Sequence, residues 1–225
     1  MNAVNVLPTP SSAPIAEKMP DARDRILAAA QNLFAMRGFE GVSTTQIAKV
    51  AGITQPLIHY HFKNKEALWK ATVARLFGRF QEEFLSAISR LPRHDTQRFM
   101  VDVIRSYVLF SARYPEFGQF IMREGAQSSD RLEWMTDHWM KPALVQFQSL
   151  YDEARDSGLI RNIPFPQLVM LIASSAHHCF SLSPMMLSLH GVDTLQPELV
   201  QQQVDAVVQV VLSALLAEPQ VALTA

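Results

Sequence analysis

The sequence predicts an all-α protein: a small N-terminal unit with two short helices about a tight turn, then a larger helical body. Three observations predict it. Apolar residues recur at helical spacing from Asp21 onward, and no alternating polar and apolar run bounded by hairpin signals occurs. Two segments with helix-start signatures flank Gly52 between Ser43 and Phe62. Glycine and proline punctuate the remainder at helix-length intervals, at Gly38, Pro92, Gly158 and Gly191. With 48% hydrophobic and 18% charged residues over 225 positions, the chain has the apolar material for a sizeable core and does not have the composition of a disordered protein.

Residues 1–20 carry Pro8, Pro10, Pro14 and Pro20 among Ser and Thr, with little apolar surface to bury, and are expected to form a flexible tail. Asp21 or a neighbour caps the first helix, and Asp24 lies in its first turn, where the helix dipole favours an anion. Ile26, Leu27, Ala30, Leu33 and Phe34 form its buried stripe, and Gly38 ends it in a left-handed C′ conformation. A long helix begins near Asn64, shows Val73, Phe77, Phe80, Phe84 and Ile88 on one face, and is closed by Pro92. Later helices are expected over 95–113, 116–125, 130–157, 165–188 and 196–217.

The informative stretch lies between the first helix and the long one. Ser43 and Gln46 have the spacing of a capping box, with Val42 and Ile47 as its hydrophobic staple. A short helix then runs to Gly52, which reverses the chain. Thr54 is placed to cap a second short helix, with Ile53 and Ile58 as a second staple. Two short helices joined by a glycine-containing turn satisfy the helix-turn-helix motif. Ile47, Ala48, Ile58 and Phe62 turn inward, which leaves Gln55, Pro56, Leu57, His59 and Tyr60 on the outer face of the second helix, with His61 at its end. Glutamine suits adenine, Leu57 or Pro56 a thymine methyl, and Thr44, Tyr60 and Lys65 suit phosphate oxygens.

Residues 22–70 resemble the DNA-binding domain of the TetR family. The resemblance is carried by Ile26-Leu27-Ala28-Ala29-Ala30, Phe34, Gly38-Phe39-Glu40-Gly41, Thr44-Thr45-Gln46-Ile47-Ala48, Ala51-Gly52-Ile53 and, most specifically, the run from His59 to Leu68. It implies a three-helix helix-turn-helix domain over 21–68 and a helical ligand-binding and dimerisation domain over 69–225. It also implies a homodimer on a palindromic double-stranded DNA operator, and a small-molecule effector that changes the spacing of the two readers. Carried over position by position, the DNA contacts are Ser43, Thr44, Thr45, Gln55, Pro56, Leu57, His59, Tyr60 and Lys65. The function implied is that of a sequence-specific transcriptional regulator, a repressor released by its effector.

In similar proteins the middle helices form a pocket and the last two a dimer interface. Here Phe99, Tyr107, Phe110, Phe117, Met122, Trp134, Trp139, Phe147, Tyr151 and Phe180 are the expected pocket wall, with Arg105, Arg123, His177 and His178 as its polar groups. Val200, Val204, Val207, Val208, Val211 and Leu215 give the last helix an apolar face, and Ser174, Ser175 and Ala176 allow close approach on the helix before it, so the two are expected to form half of a four-helix interface.

Charge and chemistry narrow the alternatives. The net charge is -1, but residues 1–70 hold eight Lys/Arg against five acids while the remainder holds twelve against sixteen, so a mildly basic head sits on an acidic body. That distribution speaks against an architectural DNA binder with a basic surface throughout. His177-His178-Cys179 is the one cluster that invites metal or thiol chemistry, yet adjacent helical residues point about 100° apart and do not converge on one ion. No nucleophile elbow, phosphate-binding glycine loop or catalytic carboxylate pair is present, so neither catalysis nor a cofactor nor a metal is expected. Cys179 is the single cysteine, Met1 to Met19 lacks the pattern of a signal peptide, and no apolar run approaches the ~20 residues that span a bilayer. A cytoplasmic protein with no membrane contact is the expectation.

Overall fold

The computed structural model describes residues 21–92 and 94–216; the tail expected over 1–20 lies outside them, as do the last residues of the expected body. Among the described residues every regular element is helical, apart from an isolated antiparallel bridge between Ile160 and Leu216.

Helix α1 (Ala22–Arg37) starts where the Asp21 carboxylate accepts from the Asp24 backbone N–H at 2.7 Å. It ends at Gly38, whose φ of 72° and ψ of 175° lie outside the left-handed helical region expected there, in a conformation open essentially to glycine alone. Helix α2 (Thr44–Ala51) carries the full capping box: Ser43 Oγ accepts from Gln46 N at 3.2 Å, and Gln46 Oε1 accepts from Ser43 N at 2.9 Å. Such a cap contributes about 1 kcal/mol, a large share of what an eight-residue helix needs. Gly52 stops it in the left-handed region. Helix α3 (Gln55–Phe62) follows. Thr54 occupies its cap position, but the hydroxyl makes no capping bond; Pro56 in the first turn, with its fixed φ and no N–H to satisfy, starts the helix instead.

Between α3 and α4 the chain makes a γ-turn. Asn64 N–H donates to Phe62 O at 2.6 Å across Lys63, the one non-glycine residue with positive φ among those described. Helix α4 (Lys65–Arg79), capped by Asn64, continues unbroken through a π-helical stretch (Phe80–Leu85) into a last turn (Ser86–Ser89). Then come α5 (Thr96–Arg113), α6 (Pro115–Gly125), and α7, which starts as Asp130–Met135 and passes through a second π stretch (Thr136–Met140) into Lys141–Asp156. The single helix expected over 165–188 is two, α8 (Phe165–Ser181) and α9 (Ser183–His190), bent by 63° at Leu182. Pro184 supplies no N–H for the carbonyl one turn back, which is the physical reason for the break. Helix α10 (Pro197–Leu215) closes the fold against α5.

One hydrophobic cluster runs from Ile26 to Met135, with the fully buried Trp69 of α4 in it. Trp69 stacks on Phe120 of α6 at 5.9 Å and meets Trp134 of α7 edge-on at 5.9 Å. The N-terminal three helices are therefore packed onto the body through α4, α6 and α7. Polar contacts pin the same junction: Gln31 donates to Glu116 at 2.7 Å, Arg123 Nε to the Ala35 carbonyl at 3.1 Å, and Arg131 lies 4.0 Å over the Phe39 ring while pairing with Glu40.

Candidate nucleic-acid interface and effector cavity

The inward residues of α2 and α3, Ile47, Ala48, Ile58 and Phe62, are all buried, and this fixes which face of α3 meets solvent. Ser43, Thr45, Gln55, Pro56, His59 and Tyr60 are exposed on one side of the molecule; Thr44, Leu57 and Lys65 are half-buried among them. Two of these side chains already have work within the protein. Ser43 caps α2, and the Gln55 carboxamide lies between Thr45 Oγ1 at 3.0 Å and Thr44 Oγ1 at 3.3 Å, joining the starts of α2 and α3. Tyr60, by contrast, is 82% exposed, its ring supported only at the edge by His61 at 5.2 Å. An aromatic ring so exposed loses favourable burial unless something covers it.

Beside this face lies an open hollow between the N-termini of α2 and α4, lined by Gly41, Val42, Ser43, Thr44, Gln46, His59, Asn64, Lys65 and one carboxylate, Glu40, which is paired with Arg131. Two helix N-termini turn their positive dipole ends toward it, each with one N–H taken by its own cap, Gln46 N by Ser43 and Ala67 N by Asn64, and a dipole pair of this kind favours phosphate. Lys65 Nζ rests 4.2 Å over the Phe39 ring, and Arg131 covers the same ring, so this cation is oriented by a contact that reaches into the body. His59 Nδ1 lies 3.0 Å from the Lys63 carbonyl, a contact that holds the ring against the γ-turn and leaves Nε2 outward.

A second feature lies in the body. A cavity of about 410 Å³ sits among the end of α4, α5, α7 and α8, walled by Phe80, Phe84, Phe99, Met100, Val103, Ile104, Tyr107, Leu144, Phe147, Tyr151, Leu168 and Ile172 among others. Its size falls in the range of small-molecule sites. Of the residues expected to wall a pocket, Phe99, Tyr107, Phe147 and Tyr151 do so here. The others lie elsewhere, because α6 packs its inward face on α1 and on the α4 core. Phe110 and Phe117 stand in an aromatic stack with Phe80, and Trp139 stacks on Phe77. Trp134 lies against Trp69 at the junction, Arg123 is bound to the Ala35 carbonyl, and Met122 is partly exposed. His178 Nδ1 turns to the Ser174 carbonyl on an exposed face.

His177 sits directly behind the wall. Its Nε2 is 2.8 Å from the Tyr107 hydroxyl, and its Nδ1 is buried with no hydrogen-bond partner. The ring presses on α6 at Gly118, where an added Cβ would come within 2.8 Å of it. Burial, with a smaller contribution from the neighbouring His178, lowers the His177 pKa to about 4, and burial raises that of Tyr107. Phe80 and Phe84 were legible as apolar stripe residues, but nothing in their spacing marks an inward position that faces a void.

The apolar face expected to join two subunits is spent differently. Val204, Val207 and Val211 are buried within this chain against α5 and α8, and Leu215 in a cluster with Tyr151, Ala154, Ile160 and Leu168. The exposed large apolar residues of this region are Met170 and Leu171 on α8, Leu182 at the bend, Met185, Leu187 and Leu189 on α9, Leu195 before α10 and Val210 on it. Among the described residues no single helix is long and apolar enough to cross a membrane, although the bent pair α8 and α9 passes on length and composition together.

Comparison with known proteins matches both halves of the chain. The family model "Bacterial regulatory proteins, tetR family" covers residues 26–72, and "Tetracyclin repressor-like, C-terminal domain" covers residues 97–211. The HTH-type transcriptional regulator RutR of Escherichia coli (strain K12) is 24% identical over 199 residues, 84% of this chain and 88% of that one. The HTH-type transcriptional repressor NicS of Pseudomonas putida is 25% identical over 166 residues, 71% of this chain and 76% of that one. Among solved structures, AibR in complex with isovaleryl coenzyme A and operator DNA superposes with a TM-score of 0.68 at 19% identity, over 84% of this chain and 97% of that one.

Proposed function

The chain belongs to the TetR family of bacterial regulatory proteins, and from that premise we propose that it is a homodimeric repressor which leaves its operator when a small molecule enters the cavity. As a member of that family it is a helix-turn-helix transcriptional regulator. The observation that carries the reading is the outer face of α3, where Tyr60 stands 82% exposed beside a hollow fed by two helix N-termini. In this reading Ser43, Thr44, Thr45, Gln55, Pro56, Leu57, His59, Tyr60 and Lys65 meet DNA. Tyr60, Thr44 and Lys65 take phosphates, and Pro56 and Leu57 approach base edges. Gln55 either stays clasped between the two threonines, aligning α2 with α3, or releases them to pair with adenine.

A second copy covers the exposed apolar residues of α8, α9 and α10 and sets two α3 helices in successive major grooves of a palindromic operator, about 34–36 Å apart. The reader, 21–68, and the body, 69–225, meet within α4. An effector that favours a different spacing of the two readers shifts the population off DNA. The named repressor NicS supports the sign, and the AibR complex with an acyl thioester and operator DNA supports the pairing of ligand with operator. Such a protein works in the cytoplasm, where its DNA is.

Gel shift with the DNA upstream of the protein's own coding region tests the reading. Tyr60→Ala should weaken retardation about tenfold, the scale of one lost phosphate hydrogen bond plus ring contact, without loss of helicity. An unchanged affinity would remove α3 from the interface.

A further inference from the structure

The cavity wall carries information about what it holds. Among the described residues that line it there is no Lys, Arg or His, and the one carboxylate, Glu153, is exposed. Of the two phenols, Tyr151 donates its hydroxyl to the Ile163 carbonyl. An anionic group brought inside would leave water with no cation to receive it, which such a site rejects.

The Thr96 hydroxyl belongs to an exposed residue and the Ser157 hydroxyl donates to the Ala154 carbonyl, which leaves the Tyr107 and His177 pair as the buried polar feature. His177 Nδ1 has no partner and faces Gly118 at the closest approach of α6 and α8. Were the proton on Nδ1, that N–H would be buried with no acceptor in the protein. On Nε2 it donates to the Tyr107 oxygen across the 2.8 Å contact; either tautomer thus leaves one donor of the pair without an acceptor inside the protein, and an acceptor in the cavity selects the second. That choice leaves the hydrogen of the Tyr107 hydroxyl uncommitted, on a residue that lines the cavity. The neutral state of the imidazole agrees with its burial.

We propose that the effector is an uncharged, mainly apolar molecule with a carbonyl or ether oxygen that accepts from the Tyr107 hydroxyl, and that His177 is the positioning residue which orients this donor. The inference rests on the reading of the protein as an effector-released regulator, and it specifies the chemistry of that effector. Carboxylates and phosphorylated compounds of equal size are excluded from the cavity; ketones, esters and lactones with aliphatic or aromatic bodies are admitted.

The test uses the full-length protein and the neutral fluorophore N-phenyl-1-naphthylamine, displaced by 2-decanone, decane or decanoate. The ketone should displace the probe at about tenfold lower concentration than decanoate and about fivefold lower than decane, the ratio expected of one net hydrogen bond. Tyr107→Phe should erase the advantage of the ketone over decane. His177→Gln, whose amide still donates to the phenol oxygen, should keep part of it, and His177→Leu should not. Decanoate competing as well as the ketone overturns the proposal, as does a ketone advantage that survives in Tyr107→Phe. The wild-type series tests the charge preference even if a variant fails to fold. Failure of the fluorophore to bind the wild-type protein at all would instead overturn the effector reading itself, since binding is read without DNA.

Discussion

His177 places a pH dependence on the whole fold. In the unfolded chain its imidazole titrates near the ordinary 6.5, whereas in the folded protein the value is about 4. Between those values the unfolded state binds more protons, so stability is complete above pH 6.5 and falls as the pH drops toward 4. The displacement corresponds to about 3 kcal/mol at its full extent. Urea midpoints taken from pH 7.5 down to 4.5 should decline more steeply for the wild type than for His177→Gln; parallel curves would show that the ring is not held neutral. At this scale the sequence is legible where the chemistry is local. Ser43 with Gln46 announces a capping box that forms as expected, because both partners lie within one turn. Thr54 has the same local credentials, yet its hydroxyl makes no cap bond. His177 has no local signature: its partners, Tyr107 and Gly118, are more than fifty residues away.

The element that feels His177 most is α6. Gly118 allows α6 and α8 to cross closely, and a methyl there would sit 2.8 Å from the imidazole, whose Cβ and Cγ are fixed near the backbone. Alanine would gain about 1 kcal/mol of helix propensity, but overpacking at a rigid contact costs about 1–3 kcal/mol. Gly118→Ala should therefore lower the melting temperature in a thermal scan; a rise would mean that the crossing relaxes freely. Helix existence and order were readable from periodicity, since the stripe Ile26, Leu27, Ala30, Leu33 and Phe34 and the stripe Val73, Phe77, Phe80, Phe84 and Ile88 are buried throughout. The break at Leu182 had a visible signal in Pro184 that the continuous apolar run masked. The π stretches had none: the apolar spacings of three and four run through Phe77, Phe80, Phe84 and Ile88 without a visible break.

For the whole molecule, the exposed apolar residues on α8 and α9 are the surface that a second copy covers in the proposed dimer. Sedimentation at micromolar concentration should show a dimer, and Leu171→Glu should shift it toward monomer and weaken operator binding with it; a monomeric wild type would refute the pairing. The sequence placed dimer contacts on Val204, Val207 and Val211, which are buried inside one subunit, because an apolar stripe reports that a face is covered and not by what. The cavity was equally hidden: void space is a property of how helices diverge, and no stripe records it. What makes the two ends of the protein compatible is the extra residue wound into α4 at Phe80–Leu85. An inserted residue rotates everything after it by roughly a quarter turn relative to a regular helix. The first half of the rod can thus aim Trp69 at the reader while the second aims Phe84 at the cavity, each phased separately. Mutation can therefore retune the sensing end without turning the reading end out of its seat, and a chimera that exchanges bodies between relatives has its natural seam in that stretch.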